Sequence, residues 1–183
     1  MQFMSLQHSA GDVRIGTLEA LLFSSPEPLS EERIAGLIEE EESLVGKLLR
    51  DLQEHYRQGH ALRVVRLAGG WQVVTAPEHH EVVEKLRIQA GEEKLRISKA
   101  ALETLAVIAY NQPVTRGEIE DIRNVRCDRV VDTLLRFGLV RIAGRRRGTG
   151  NPFLYRTTDF FLEIFGINSI TDLPSLEELR EEE

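Results

Sequence analysis

One cysteine, Cys127, stands in Arg126-Cys127-Asp128. Neighbouring arginines depress a thiol's pKa and favour the nucleophilic thiolate; a small packing residue at a helix start satisfies the same pattern. Both readings stay open on sequence. A lone cysteine forms no internal disulfide, in agreement with a reducing compartment. Of the five histidines, His79 and His80 are adjacent, His55 and His60 precede them, and His8 lies near the start. Metal ligands on a helix recur at i and i+4, and no cysteine or carboxylate pattern completes a set here, so the histidines read as surface residues. No Ser/His/Asp or Cys/His arrangement suggests itself, because the histidines and the candidate nucleophiles fall in different halves of the chain. The expectation is a protein with no catalytic centre, no cofactor and no metal.

The densest positive charge is Arg145-Arg146-Arg147, set between Gly144 and Gly148. Glycines there allow close approach of a phosphate or an acidic peptide, although a loop tip is also charged simply because it is wet. A nucleotide loop is excluded: the Lys-Ser/Thr ending is absent, and Asn151-Pro152 leads into a strand instead of a helix. The net charge of −7 hides a split. Residues 1–92 carry nine Lys/Arg against fifteen Asp/Glu, residues 93–166 thirteen against nine, and residues 167–183 one against six. Such a chain lacks the dense positive face of wholesale nucleic-acid binding, while a local basic contact stays open. No stretch nears the ~20 apolar residues of a membrane span, and residues 1–12 lack the pattern of a signal peptide. The expected location is the cytoplasm.

The elements that must position these residues follow from periodicity and punctuation. Residues 1–13 read as a flexible leader. Ile15, Leu18, Leu21 and Leu22 share a face of a first helix over 15–23, and Ser25-Pro26-Glu27-Pro28 stops it. Ser30 caps a second helix with Ile34, Leu37 and Ile38 on its apolar side. Ser43 is expected to cap a third, in which Leu44, Val45, Leu48, Leu49, Leu52 and Tyr56 recur until Gly59. Residues 62–67 and 71–75 then read as two strands joined by Ala68-Gly69-Gly70. Pro77 opens one more helix, to about residue 88. Trp71 and Phe23 are expected in the core, since a module of roughly 80 residues needs large apolar side chains.

The second half repeats that order. Ser98 caps a helix carrying Leu102, Leu105, Ala106 and Ala109; Thr115 caps one with Ile119 and Ile122; Asp128 is expected to cap a third with Val130, Val131, Leu134 and Leu135, closed by Gly138. Strands over 139–143 and 153–156 flank the arginine loop, and Thr158 or Asp159 caps a last helix through Phe161, Leu162 and Phe165. Leu18 to Phe23 aligns with Leu102 to Val107, and Pro28-Leu29-Ser30 with Pro113-Val114-Thr115, at offsets of 84 and 85 residues. This is a duplicated module, not a solenoid. Three helices and a hairpin make a winged helix, so the fold class is α+β, mainly helical, with two tandem winged-helix domains over 14–90 and 91–167 and an acidic tail over 168–183.

The third helix of a winged helix is the one that DNA-binding relatives place in the major groove. In the first module it shows Lys47, Arg50, Asp51, Gln53 and Glu54, an ordinary solvated face. In the second, Arg123, Arg126, Arg129 and Arg136 are interleaved with Asp121, Asp128 and Asp132, acids that would repel phosphate. The tail from Asn168 to Leu179 spaces apolar residues among acids, a composition that docks on a partner or stays disordered.

Several segments resemble the bacterial segregation and condensation protein B family, in order along the chain: Leu18-Glu19-Ala20-Leu21-Leu22-Phe23, Gly69-Gly70-Trp71-Gln72, Thr75-Ala76-Pro77-Glu78, the long run from Ser98 to Arg116, Gly138 to Arg145, Pro152 to Thr158, Phe165-Gly166-Ile167 and Asp172-Leu173-Pro174. The family's Ile-Arg-Gly-Val appears as Ile122-Arg123-Asn124-Val125. The resemblance implies a homodimeric accessory subunit, without a catalytic site, that self-associates through the first module. It implies binding to a kleisin, segregation and condensation protein A, which bridges the heads of a structural-maintenance-of-chromosomes (SMC) ATPase. Under it the chain acts in chromosome condensation and segregation at cell division, in the cytoplasm at the nucleoid, with any DNA contact indirect and no membrane. Candidate kleisin-facing residues are Tyr110, Asn111 and Gln112 at a helix end, with Arg145 and Arg147 on the wing. The rival expectation is a winged-helix DNA-binding transcriptional regulator.

Overall fold

Helix caps and prolines divide the chain into short elements, and a computed structural model describes them over residues 10–90, 96–175 and 178. The chain forms two units, Met1–Glu92 and Glu93–Glu183. The first holds α1 (Ala10–Ser24), α2 (Glu31–Ile38), α3 (Glu42–His55), β1 (Leu62–Leu67) and β2 (Gly70–Thr75), then a 3-10 turn Pro77–His79 that runs into α4 (His80–Gln89). Ser30 caps α2 by accepting from the Arg33 N–H at 3.1 Å. Glu39 ends α2 in the left-handed region at φ 54°. Only two residues separate it from α3, which starts at Glu42 with Glu41 at its N-cap. Ser43 is therefore inside the helix and is not its cap.

The hairpin of the first unit turns on Ala68 and Gly69, both at positive φ, with Leu67 opposite Gly70. That pair of left-handed residues matches the right-handed twist of the strands. A third strand contributes one bridge: Leu29 and Trp71 exchange backbone hydrogen bonds of 2.9 and 2.8 Å. Gly70 makes this possible, because a Cβ there would sit 2.9 Å from the Leu29 nitrogen and from the Pro28 carbonyl carbon. Leu18, Leu22, Ile34, Val45, Leu49, Leu52, Val64 and Trp71 close the core, each buried aliphatic side chain contributing roughly 1.5–3 kcal/mol. The Trp71 indole N–H donates to Glu31 at 3.0 Å. Phe23 is not in this core. It is 78% exposed, because it lies about 100° around the helix from the buried Leu22. Leu37 also faces outward.

The second unit holds α5 (Lys99–Asn111), β3 (Val114–Thr115), α6 (Arg116–Arg123), α7 (Asp128–Arg136), β4 (Val140–Arg145), β5 (Phe153–Thr157), α8 (Asp159–Phe165) and a 3-10 turn Ile170–Asp172. Its sheet runs β3-β5-β4, all antiparallel, with a bulge between Ile142 and Gly144. Ser98, Thr115 and Thr158 cap α5, α6 and α8, and Thr115 forms a capping box with Glu118. Asp128 does not cap α7. It is the first helical residue, after Cys127 at the N-cap, and its carboxylate is taken by Arg116 at 2.5 Å. The buried face of α5 is Ala101, Thr104, Leu105, Ile108 and Ala109, so Leu102 and Ala106 point outward, as does Ile122 on α6. Ile170 and Leu173 pack on the same core, which brings residues 168–174 onto the second unit. The remainder of the tail lies largely outside the described residues, as does most of the leader.

The duplication is visible in register. Leu29 bridges Trp71 in the first unit, and Val114 pairs with Tyr155 in the second. Both units thus show the winged-helix order of three helices and a hairpin, the hairpin joined by a single bridge in the first unit and by β3 in the second, the class expected from the element order.

Candidate partner-binding surface

Helix α5 ends where Pro113 forces the preceding Gln112 into an extended conformation, at ψ 139°. The three residues at this end face different ways. The Tyr110 hydroxyl donates to the Pro174 carbonyl at 2.7 Å and so clasps the tail. Gln112 ties the helix end to β5: its side-chain oxygen accepts from the Thr157 N–H at 2.9 Å and hydroxyl at 3.1 Å. Only Asn111 faces a cleft, its side-chain amide anchored to the Val107 carbonyl at 2.8 Å.

That cleft, of about 300 Å³, is lined by Asn111, Pro113, Val114, Glu118, Asp121, Ile122 and Arg146. The expected wing residues Arg145 and Arg147 are not among them. Arg145 lies over the Phe153 ring, 3.8 Å from its centroid, and donates to the Asn151 carbonyl at 2.9 Å. Arg147 is exposed at the tip of the wing. The arginine between them folds back instead, and Arg146 pairs with Glu118 across the cleft. A run of three arginines carries no mark of which one returns. The strand register does, since Arg145 is the last residue of β4.

Glu118 is the hinge of this arrangement. One carboxylate oxygen takes Arg146 and the other accepts from the Thr115 N–H at 2.9 Å. The Arg146 hydrogen bond first, and the Thr115 backbone bond second, hold its pKa down to about 2. The cleft therefore offers a fixed ion pair, an amide and an exposed aliphatic, Ile122.

Two other arginines of this unit are structural. Arg116 spans Asp128 at 2.5 Å and Asp132 at 3.3 Å. Arg123, with only a tenth of its side chain exposed, bonds Glu103 at 2.7 Å and the Thr104 hydroxyl at 2.8 Å. Cys127 is buried, and burial, with the nearby Glu120 carboxylate, pushes its thiol up to about 11. It is the packing residue of the two readings. Among the described residues no group of three His, Cys, Asp or Glu is placed to hold a metal.

The first unit has a surface of another kind. Val13, Gly16, Ala20 and Phe23 recur at three- and four-residue spacing along the exposed side of α1. Gly16, Ala20 and Phe23 border a groove of about 340 Å³ with Glu19, Tyr56, Leu62 and Val73. The Tyr56 hydroxyl donates to Glu19, and that carboxylate raises the phenol pKa. The stripe is apolar and thin, with open space over Gly16.

The family model described as segregation and condensation complex subunit ScpB matches residues 16–176. The chain belongs to the ScpB family. A segregation and condensation protein B from Symbiobacterium thermophilum is 47% identical over 161 residues, covering 87% of this chain and 72% of the relative. ScpB from Mycobacterium tuberculosis, solved as a crystal structure, is 32% identical across 88% of this chain and 99% of that one, with a TM-score of 0.43. A dimer of a ScpB N-terminal domain complexed with a ScpA peptide shares 30% identity over 43% of this chain and 99% of that one, with a TM-score of 0.40. The family match spans both winged helices of this chain, from α1 to the tail that Tyr110 holds.

Proposed function

We propose that this ScpB-family chain is a non-enzymatic accessory subunit of a bacterial condensin-like SMC-kleisin complex, acting in chromosome condensation and segregation at cell division. It works in the cytoplasm at the nucleoid, binds the kleisin segregation and condensation protein A, and reaches the SMC ATPase through it. The observation that carries the reading is the 47% identity with a segregation and condensation protein B along 161 residues. The partner is the one that a relative's N-terminal domain was crystallised with, as a peptide.

In this reading the first unit, 14–90, self-associates through the α1 stripe of Gly16, Ala20 and Phe23, which Val13 extends by one turn. Small residues allow two helices to approach closely, and Phe23 supplies the large apolar area that an interface core needs. The second unit, 91–167, adds a grip on the kleisin to any made by the first, since in that relative the peptide is complexed with the N-terminal domain. Asn111 and Ile122 meet it in the cleft, Arg145 and Arg147 meet it on the wing, and Tyr110 and Gln112 hold the wall of the cleft in place.

The test is co-expression of the tagged chain with the candidate kleisin, followed by mass measurement of the purified complex. The expected product holds two copies of this chain per kleisin. Phe23→Asp is expected to halve the mass of the free chain without unfolding it, and Arg145→Glu with Arg147→Glu to weaken kleisin capture. A monomeric wild type removes the self-association. Unchanged capture removes those arginines from the interface, and Ile122→Asp then decides whether the cleft belongs to it. Failure of the wild type to retain any kleisin, with tight binding to one short duplex, would favour the transcriptional regulator.

A further inference from the structure

On the outer face of the second unit's hairpin, Arg141 of β4 stands directly opposite Arg156 of β5. Both are exposed, and no described residue pairs with either. Directly opposed residues of an antiparallel pair have side chains about 5 Å apart at their base, and like charges there are destabilising. Arg116, Arg123 and Arg146, by contrast, each meet a carboxylate of the same unit.

The duplicated first unit serves as an internal control. Trp71 and Tyr155 hold the same place, each facing the short third strand. The next pair outward is Val65 opposite Gln72 in the first unit and Arg141 opposite Arg156 in the second. The winged-helix framework accepts a neutral pair at this position. The two arginines are a property of the second unit alone.

We infer that this face binds the phosphate backbone of duplex nucleic acid, without reading sequence, through Arg141 and Arg156. Two guanidinium forks at this separation suit phosphate oxygens, which they contact bidentately. The face offers little to a protein partner, whose interface wants an apolar centre. Its remaining pair is Gly144 opposite the half-buried Leu154, and interfaces with DNA are instead polar and positive. Charge on the third helix also opposes phosphate less than its composition implies. Arg116 already occupies Asp128 and Asp132, while Arg126 and Arg129 stay exposed. The wing thus gives the subunit a weak hold on DNA, separate from its proposed grip on the kleisin.

The experiment is fluorescence anisotropy of a labelled 20-base-pair duplex titrated with the full chain, from about 50 to 200 mM salt. Arg141→Gln with Arg156→Gln is expected to lower affinity about tenfold or more at the low-salt end. The slope of log K against log salt should shrink by about 2, close to 0.9 for each phosphate that an arginine no longer neutralises. The same double variant should unfold at a higher urea midpoint, since it relieves the repulsion, and should co-purify with the kleisin as the wild type does. Absence of wild-type binding overturns the inference, as does a double variant with unchanged affinity and slope. A preference for one duplex sequence overturns its sequence independence. Loss of kleisin capture with duplex binding intact assigns the face to an acidic protein partner instead.

Discussion

Replacing Glu118 separates the two things its carboxylate does. Glu118→Gln keeps an oxygen for the Thr115 N–H but leaves Arg146 without a counter-charge; Glu118→Ala removes both bonds. Taken at face value, a carboxyl held at about 2 is worth about 3 kcal/mol. The side chain is 41% exposed, however, and that of Arg146 45%, so solvent screening brings the pair down to about 0.2–1 kcal/mol. Loss of the capping-box bond adds about 0.5–1.5 kcal/mol. Urea unfolding at pH 7 should therefore place the alanine variant about 1–2 kcal/mol below wild type, with the glutamine variant between them. The pH dependence has a definite sign. A carboxyl with a depressed folded-state pKa stabilises the fold above its unfolded value and loses that contribution as the pH falls through the folded one. The gap between wild type and Glu118→Gln should thus be full above about pH 5 and shrink steadily toward pH 2. An equal gap at pH 7 and at pH 3, or an alanine variant no worse than the glutamine one, would refute the assignment of both bonds to this carboxylate.

Two further outcomes follow from the packing. Gly70→Ala pushes a methyl group against the Pro28 and Leu29 backbone and should cost about 2–4 kcal/mol, through overpacking and the two Leu29–Trp71 hydrogen bonds. Gly69→Ala meets nothing and should cost only the ~1–2 kcal/mol of a left-handed alanine; urea midpoints in the reverse order would count against the close approach. Cys127, buried with its thiol pushed up to about 11, should resist iodoacetamide at pH 7.5 in the folded chain and react once urea unfolds it. Rapid labelling of the native protein would instead make it a reactive thiol.

Much of this fold is written in local chemistry that a single sequence displays. Ser30, Ser98, Thr115 and Thr158 each precede an apolar helical run and each caps it, because the cap is a bond between residues three apart. The failures are instructive for the same reason. Asp128 has the right type and place for a cap, but Arg116, twelve residues earlier, reaches its carboxylate first. Ser43 loses its role because the chain turns from α2 to α3 in three residues. Leu29 and Val114 to Thr115 carry no alternation to read, being one or two residues of strand. Phe23 is a different case. Its helical phase sets it apart from Leu18 and Leu22, and the expectation of a core residue rests on its type instead of its angle. An apolar side chain turned away from the core of a small unit is then a surface to be covered, and the Val13, Gly16, Ala20 and Phe23 stripe is present in the spacing alone.

The candidate sites divide along the line between local and distant contacts. The arginines of the wing are visible as a run, but which of them is free depends on residues far away in sequence. Arg146 is taken by Glu118 and Arg145 by the Asn151 carbonyl and Phe153, while Arg147 stays exposed at the tip. The same logic reverses the reading of the third helix, where Asp128 and Asp132 count in the sequence as acids that repel phosphate. Arg116 between them offsets half of that negative charge. Meanwhile Arg141 and Arg156, unremarkable in sequence at fifteen residues apart, become a matched pair only when the bulged hairpin sets them face to face. Charge counts along a chain thus misplace the basic surface of a small α+β unit whenever its ion pairs are long-range.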